Sequence, residues 1–237
     1  MTLTAATTAG ATTRGPVLEK IWLQHYPAGV PAEINPSEYR SLRELIEQAI
    51  AQHRDRPCFT CMDRTLTYGD LDVLASRFAA YLQQVARLRK GDRIALMLPN
   101  VLQYPVAILG AFRAGLTIVN TNPMYTPREL QDQLHDSGAR AILILENFAH
   151  TLAEVQHDVH LDTVIVTGVG DLLAFPKSML VNFVLRHVKK QVPEYSLPGA
   201  VSLTEALSKG RYENLERVEL GHEDIAFLQY TGGTTGV

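Results

Sequence analysis

The amino-acid sequence predicts an α/β protein in which parallel sheets are flanked by helices. Short apolar runs with the character of buried strands alternate with segments of about ten to fifteen residues whose apolar positions recur at helical spacing. Capping residues precede several of these helical segments, and glycines follow them. Hydrophobic residues make up 46% of the 237 residues and charged residues 20%, which is enough apolar mass for a sizeable core.

The first predicted unit is a helix followed by a pair of strands. A capping box begins the helix at Ser41, because Glu44 stands three residues later. The apolar face that we expect to be buried consists of Leu42, Leu45, Ile46, Ala49 and Ile50. Residues 58–62 and 65–67 then have the composition of short strands around a turn at Asp63-Arg64.

The second predicted unit starts at Thr67, which caps a helix that we expect to end at Gly91. Its apolar stripe consists of Leu71, Leu74, Ala75, Phe78, Leu82 and Val85. Residues 93–98 follow as a buried strand. Residues 101–114 form a predicted helix closed by the next glycine, and residues 116–120 form a strand.

The clearest helix start in the sequence is Thr126-Pro127-Arg128-Glu129, with a Thr cap, Pro at the first helical position and Glu at the third. Gly138 stops this helix. The later predicted elements are a strand at 141–145, a helix at 148–156, a strand at 163–167, a helix at 179–190 and strands at 200–203 and 225–229. Strands joined by helices in this way favour a parallel sheet.

Composition and charge exclude several classes of protein. Lys and Arg number 22 against 25 Asp and Glu, for a net charge of −3, which excludes a nucleic-acid binder that relies on bulk positive charge. No stretch reaches the roughly 18 uncharged apolar residues of a membrane span. The two cysteines, Cys58 and Cys61, are few enough to favour a cytoplasmic protein. A predicted strand points them to opposite faces, which disfavours a redox pair or a zinc site. Residues 1–17 are predicted to be a disordered tail before one domain over 18–237.

The end of the sequence carries the strongest sign of chemistry. It consists of Tyr230, Thr231, Gly232, Gly233, Thr234, Thr235, Gly236 and Val237. Glycines bring backbone N–H groups close to a ligand, and threonine hydroxyls add further donors. Such donors, without acidic side chains at the end of a strand, suit a phosphate group, although a polar turn is the alternative. A standard P-loop starting at Gly232 fails, because its second glycine would fall on Val237.

The same segment resembles the phosphate-loop motif of adenylate-forming enzymes, the acyl-CoA synthetase and luciferase superfamily. The Gly232-Gly233 form, preceded by Leu228-Gln229, is typical of bacterial long-chain fatty acid–CoA ligases. Further stretches that match this subgroup lie at residues 21–23, 26–31, 33–36, 91–100, 102–105, 113–115, 120–130 and 136–139. The resemblance therefore covers the sequence from about residue 18 to its end.

The resemblance implies a two-step reaction. A fatty acid carboxylate attacks the α-phosphorus of Mg·ATP to give acyl-adenylate and pyrophosphate, and the coenzyme A thiol then displaces AMP. The loop would hold the β- and γ-phosphates through the hydroxyls of Thr231, Thr234 and Thr235. Catalytic and Mg²⁺-binding residues are expected downstream of Val237, so we expect this sequence to be an amino-terminal portion of the AMP-binding domain that is inactive alone. The alternatives are a ligase for shorter acyl chains or for an acyl carrier, and a non-catalytic phosphate-binding module.

Two other features have competing explanations. His150, His157 and His160 do not share one helical face, so a solvated helix end is favoured over a metal site. The predicted helix over 179–190 has an apolar face and a basic end, which fits packing on the sheet or contact with an anionic membrane. The family resemblance supports peripheral contact with the inner membrane between Leu180 and Lys190. It also implies a role in β-oxidation and admits a homodimer.

Overall fold

The computed structural model describes residues 19–231. The predicted tail and the loop residues 232–237 lie outside the described residues, so both assignments stay predictions. The chain divides into two compact units, one ending at Glu38 and the other beginning at Tyr39. The described part of the first unit contains a 3-10 helix at Ile21–His25.

Parallel strands form the centre of the second unit. The strands in the described chain are β1 (Pro57–Cys61), β2 (Arg64–Thr67), β3 (Arg93–Met97), β4 (Thr117–Asn120), β5 (Ala141–Leu145), β6 (Thr163–Thr167), β7 (Val201–Ser202) and β8 (Phe227–Gln229). β1 and β2 form an antiparallel hairpin. The other strands form a six-stranded sheet in the order β7-β6-β5-β3-β4-β8, with every neighbouring pair parallel. The predicted α/β fold class is confirmed.

Helices cover both faces of this sheet. The α-helices of the described chain are α1 (Leu42–His53), α2 (Tyr68–Ala80), α3 (Gln103–Ala114), α4 (Pro127–Ser137), α5 (Ala149–Val155), α6 (Lys177–Phe183) and α7 (Leu203–Gly210). Ile94 and Leu96 of β3 point to the face covered by α2, α3 and α7, whereas Ala95 and Met97 point to the face covered by α4 and α5. β3 is therefore buried on both sides, as its continuous apolar run predicts.

Capping residues begin the helices where the sequence predicts them. Thr67 Oγ1 accepts a hydrogen bond from Asp70 N, and Asp70 Oδ2 accepts one from Thr67 N, each at 3.0 Å. The start of α4 has the same reciprocal pair. At α1 only half of the box forms: Ser41 Oγ accepts from Glu44 N at 3.2 Å, but the Glu44 carboxylate accepts from Arg40 N at 2.8 Å.

The helix that starts at Thr67 ends earlier than predicted. After α2 a single π-helical turn runs over Tyr81–Val85. Arg87 then adopts a left-handed conformation with φ of 60°, which takes the chain out of the helix. Gly91 instead occupies a turn before β3, where its φ is 84° and its N–H donates to Gly115 O at 2.9 Å.

Two further predictions were wrong in part. The predicted strand at 200–203 shrinks to β7, and α7 follows directly because the Ser202 hydroxyl accepts from Glu205 N at 3.1 Å. On α1 the predicted buried face is rotated. Leu42 and Leu45 are 46% and 41% exposed, and Ile50 is buried. Periodicity alone did not show which part of the α1 stripe would meet α2 and α3.

Candidate functional site

The carboxyl ends of the parallel strands form the edge where the described part of the predicted site, Tyr230 and Thr231, lies. β3 leads into α3 on one face of the sheet, and its neighbour β5 leads into α5 on the other face. In parallel sheets the crevice outside the strand ends at such a reversal is the usual place for a ligand. Tyr230 and Thr231 directly follow β8 at the same edge.

A cleft of about 270 Å³ opens at the ends of β3, β4 and β8. Its polar lining comes from the side-chain amides of Asn120, Asn122 and Gln229 and from the hydroxyls of Tyr104, Thr121, Tyr125 and Tyr230. Among the described residues, none that lines the cleft carries a formal charge. The cleft therefore presents neutral donors and acceptors.

Hydrogen bonds connect α3, β4 and β8 beside this cleft. Tyr104 Oη donates to Asn120 Oδ1 at 2.8 Å, and Asn120 Nδ2 donates to Gln229 Oε1 at 2.8 Å. Gln133 Nε2 donates to the Asn120 carbonyl at 3.0 Å. Burial raises the pKa of Tyr104, which keeps its hydroxyl protonated as a donor. Both side-chain atoms of the Asn120 amide are thus engaged.

Tyr230 is bound to a helix on one face of the sheet. Its hydroxyl donates to Asp136 Oδ2 near the end of α4. Burial and the hydrogen bond to Asp136 raise the pKa of Tyr230 to about 12, so the phenol stays neutral at ordinary pH. The next residue, Thr231, is exposed. The Asp136 carboxylate is engaged by the phenol beside the cleft.

The structure describes part of the predicted phosphate loop. Tyr230 and Thr231 lie at the carboxyl end of β8, as the sequence predicts. The remaining predicted residues, which are Gly232, Gly233, Thr234, Thr235, Gly236 and Val237, lie outside the described residues. Their role in phosphate binding stays a prediction. Sequence reasoning missed Tyr104, Asn120 and Asp136 as neighbours of this site, because their contacts join residues far apart in the chain.

The ends of β5, β6 and β7 border a second cavity, of about 320 Å³, whose lining is charged. Glu146 is only 3% exposed and forms an ion pair with Arg186. The hydrogen bond and charge of Glu146 raise the pKa of Arg186. Glu146 Oε1 has no hydrogen-bond partner within the described part of the chain. Asp171, also in the lining, accepts from Gly168 N at 2.8 Å.

The three histidines considered as metal ligands lie around α5. His157 and His160 are exposed, and His150 is half-buried. Across residues 19–231, no group of three or more His, Cys, Asp or Glu side chains is placed to hold a metal ion. In the same residues we find no helix with the length and apolar character needed to cross a membrane.

The family model of the AMP-binding enzymes matches residues 46–237. The chain belongs to this family. The long-chain-fatty-acid–CoA ligase of Escherichia coli O157:H7 is 53% identical to it over 220 residues, which cover 93% of this chain and 39% of that protein. The ligase of the same name from Salmonella typhimurium strain LT2 is also 53% identical, with the same coverage. This AMP-binding chain thus spans about two fifths of the length of these relatives.

Solved structures of CoA ligases have the same fold. A long-chain-fatty-acid-CoA ligase from Archaeoglobus fulgidus superposes with a TM-score of 0.64 at 23% identity, over 89% of this chain and 38% of that chain. The resemblance found in the sequence is therefore confirmed at the level of the family and its fold.

Proposed function

We propose that the whole protein activates a long-chain fatty acid with ATP and transfers the acyl group to coenzyme A. The observation that carries this proposal is the 53% identity, over 93% of the chain, to proteins named long-chain-fatty-acid–CoA ligase. A relative of the same name from Bacillus subtilis strain 168 is 33% identical over 92% of the chain. We place the role in β-oxidation and the cytoplasm, and we predict a homodimer, which light scattering would test.

The reaction takes place in two displacements. A carboxylate oxygen of the fatty acid bonds to the α-phosphorus of ATP, and the bond from that phosphorus to the β-bridging oxygen breaks, which releases pyrophosphate. The coenzyme A sulfur then bonds to the acyl carbon, AMP leaves with the oxygen, and the thiol proton passes to solvent or base. The first step depends on positioning and charge neutralisation more than on a protein nucleophile.

The edge beside β8 suits the polyphosphate end of ATP. The described lining of its cleft has no charged side chain, and the carboxylate of Asp136 lies outside that lining. Thr231 adds a hydroxyl where the chain leaves the strand. Mg²⁺ belongs to the proposal as the counter-ion of ATP, which neutralises phosphate charge when bound. Because residues 19–231 hold no carboxylate cluster that fits it, we assign none of these residues to the metal.

A substrate series tests the proposal. We expect the purified whole protein to release pyrophosphate from ATP with fatty acids, to form the thioester once coenzyme A is added, and to show its highest kcat/KM with long chains. A preference for short carboxylic acids or for an acyl carrier protein would select the alternative ligases. If no carboxylic acid supported pyrophosphate release, the protein would be a non-catalytic phosphate-binding module.

A second part of the proposal is peripheral contact with an anionic membrane through the segment around α6. Its apolar side chains are exposed: Phe175 is 80% exposed, Met179 66%, Leu180 61%, Phe183 57% and Val188 67%. Packing of this face on the sheet, the alternative from the sequence, does not occur within the described chain. Lys189 and Lys190 are also exposed at the end of the segment. An apolar face beside basic side chains fits a lipid surface.

Vesicle binding tests this contact. We expect Lys189→Gln with Lys190→Gln to weaken binding of the whole protein to anionic vesicles about thirtyfold at low salt, since each basic residue contributes about 1 kcal/mol. Arg186 is left unchanged because it pairs with the buried Glu146. Arg87→Gln with Arg89→Gln removes the same charge from exposed positions elsewhere and serves as the control. Equal loss in both pairs, or no loss in either, would overturn the contact at α6.

A further inference from the structure

We propose that Asp136 and Asn120 are positioning residues for the adenylation step. Each binds a side chain at the start of the predicted phosphate loop: Asp136 binds Tyr230, the first residue of the loop, and Asn120 binds Gln229, the residue before it. The inference rests on the proposed function. It goes beyond that function by assigning a role to two side chains that lie outside the loop motif.

The strand that carries the loop is short, so side-chain contacts add to what holds its end. β8 has three residues, and among the described strands it pairs with β4. Its register pairs Phe227 with Ile118, Leu228 with Val119 and Gln229 with Asn120. Few backbone hydrogen bonds can form along a strand of this length. The direction in which Thr231 leaves β8 therefore depends on side-chain contacts as well.

The first contact fixes Gln229. Asn120 Nδ2 donates to Gln229 Oε1 at 2.8 Å, while Asn120 Oδ1 accepts from Tyr104 Oη at 2.8 Å. The Gln133 side chain also holds the Asn120 carbonyl at 3.0 Å. Asn120 is thus held at both side-chain atoms and at its carbonyl, and it binds Gln229 from the neighbouring strand.

The second contact fixes Tyr230. Its neutral phenol donates to the carboxylate of Asp136, and hydrogen bonds to charged groups are the stronger kind. Asp136 lies on a well-anchored helix, because Leu130 and Leu134 of α4 are 0% and 3% exposed. Successive side chains of an extended chain point to opposite sides, so the two contacts hold the end of β8 from two directions.

Loss of either contact should affect one half of the reaction. The β- and γ-phosphates take part in adenylation and are absent when acyl-adenylate reacts with coenzyme A. A small displacement of positioning groups lowers the rate steeply. Removing Asp136 should therefore slow adenylation and leave thioester formation from supplied acyl-adenylate unchanged. The melting temperature of the variant should stay close to that of the wild type, so that unfolding does not explain the slower adenylation.

A set of variants of the whole protein tests this. We expect Asp136→Ala and Tyr230→Phe each to lower kcat/KM for ATP in adenylation about tenfold, the rate equivalent of one such hydrogen bond. The double variant should be no slower than the slower single variant, because both remove the same bond. Asp136→Asn retains an acceptor oxygen and should recover most of the rate. The matched control is Asp132→Ala on the same helix, whose side chain is 71% exposed.

The contact at Asn120 is tested in the same way. Asn120→Ala and Gln229→Ala should each slow adenylation, and their combination should be no slower than the slower single variant. If Asp136→Ala slowed both half-reactions equally, or if the double variants were additive, the residues would serve the fold and the inference would fall. Wild-type rates in every variant would also overturn it. A wild-type protein that forms no acyl-adenylate would instead overturn the proposed function, and the inference with it.

Discussion

The two halves of the sheet edge have the same backbone architecture and opposite side-chain chemistry. At the ends of β3, β4 and β8 the cleft is lined by neutral amides and hydroxyls, such as Asn120 and Gln229. At the ends of β5, β6 and β7 the lining contains the carboxylates of Glu146 and Asp171 against the single guanidinium of Arg186. The parallel sheet places ligands at this edge, and the side chains decide which half accepts which charge.

The difference indicates where an anion belongs. Because Arg186 pairs with Glu146, the carboxylate of Asp171 is the negative charge in the described lining without a cation, and it would repel a polyphosphate. Beside β8 the cleft lining is neutral, and Asp136 lies outside that lining. We therefore propose that the neutral half binds phosphate and that the charged half serves stability. The following predictions test this division.

The largest effect is expected at the ion pair of the charged half. Arg186→Met leaves Glu146 buried without its partner, and should lower the free energy of unfolding by about 2 kcal/mol. This is less than for a fully buried pair, because the Arg186 side chain is 51% exposed. Urea unfolding measures this loss of stability. Adding Glu146→Gln to the Arg186→Met variant should restore part of the lost free energy of unfolding. If adenylation per folded molecule fell while stability did not change, the charged half would belong to the site.

A smaller effect is expected from a new charge in the neutral half. Asn120→Asp should slow adenylation about tenfold, because the new carboxylate at the cleft repels the phosphates, and about 1.4 kcal/mol of repulsion is a tenfold change in rate. The amide of Gln229 can turn to keep its hydrogen bond. Ser202→Asp is the control in the charged half, since Asp also caps helices and can replace Ser202 at the start of α7. If Asn120→Asp and Ser202→Asp slowed adenylation equally, the two halves of the sheet edge would not differ in phosphate binding.

The smallest effect is expected from the titration of Tyr230. Its pKa in the folded protein is raised to about 12 from an ordinary value of 10.0. A raised pKa means that its contribution to stability is complete below pH 10 and is lost as the pH rises toward about 12. The stability difference between wild type and Tyr230→Phe should therefore shrink over that interval. A difference that stays constant with pH would contradict the bond to Asp136.

Much of the fold could be predicted because its signals are local. β5 and β6 have the predicted bounds, since each is a continuous apolar run between turn residues. α4 begins and ends where Thr126 and Gly138 predict. The start of α7 also had a local signal, Ser202 followed by Glu205 three residues later, but strand-like neighbours obscured it. The exposure of Leu42 and Leu45 had no local signal, because it depends on how α1 meets other helices.

Only the part of the site that is continuous in sequence could be predicted. Composition and resemblance identified the segment that begins at Tyr230, because the glycines and threonines stand together. The bond from Tyr230 to Asp136 joins residues 94 positions apart, and that from Asn120 to Gln229 spans 109 positions. These contacts follow from the pairing of β4 with β8 and from the place of α4, which no short pattern contains.

The central claim is that the segment after β8 holds the β- and γ-phosphates of ATP. The most direct test measures the two half-reactions separately in the whole protein carrying Thr234→Ala or Thr235→Ala. We predict that adenylation falls about ten- to a hundredfold, the effect of losing one hydrogen bond to a charged group, while acyl-adenylate and coenzyme A form the thioester at the wild-type rate. Equal losses in both half-reactions, or no loss in either, would contradict the claim.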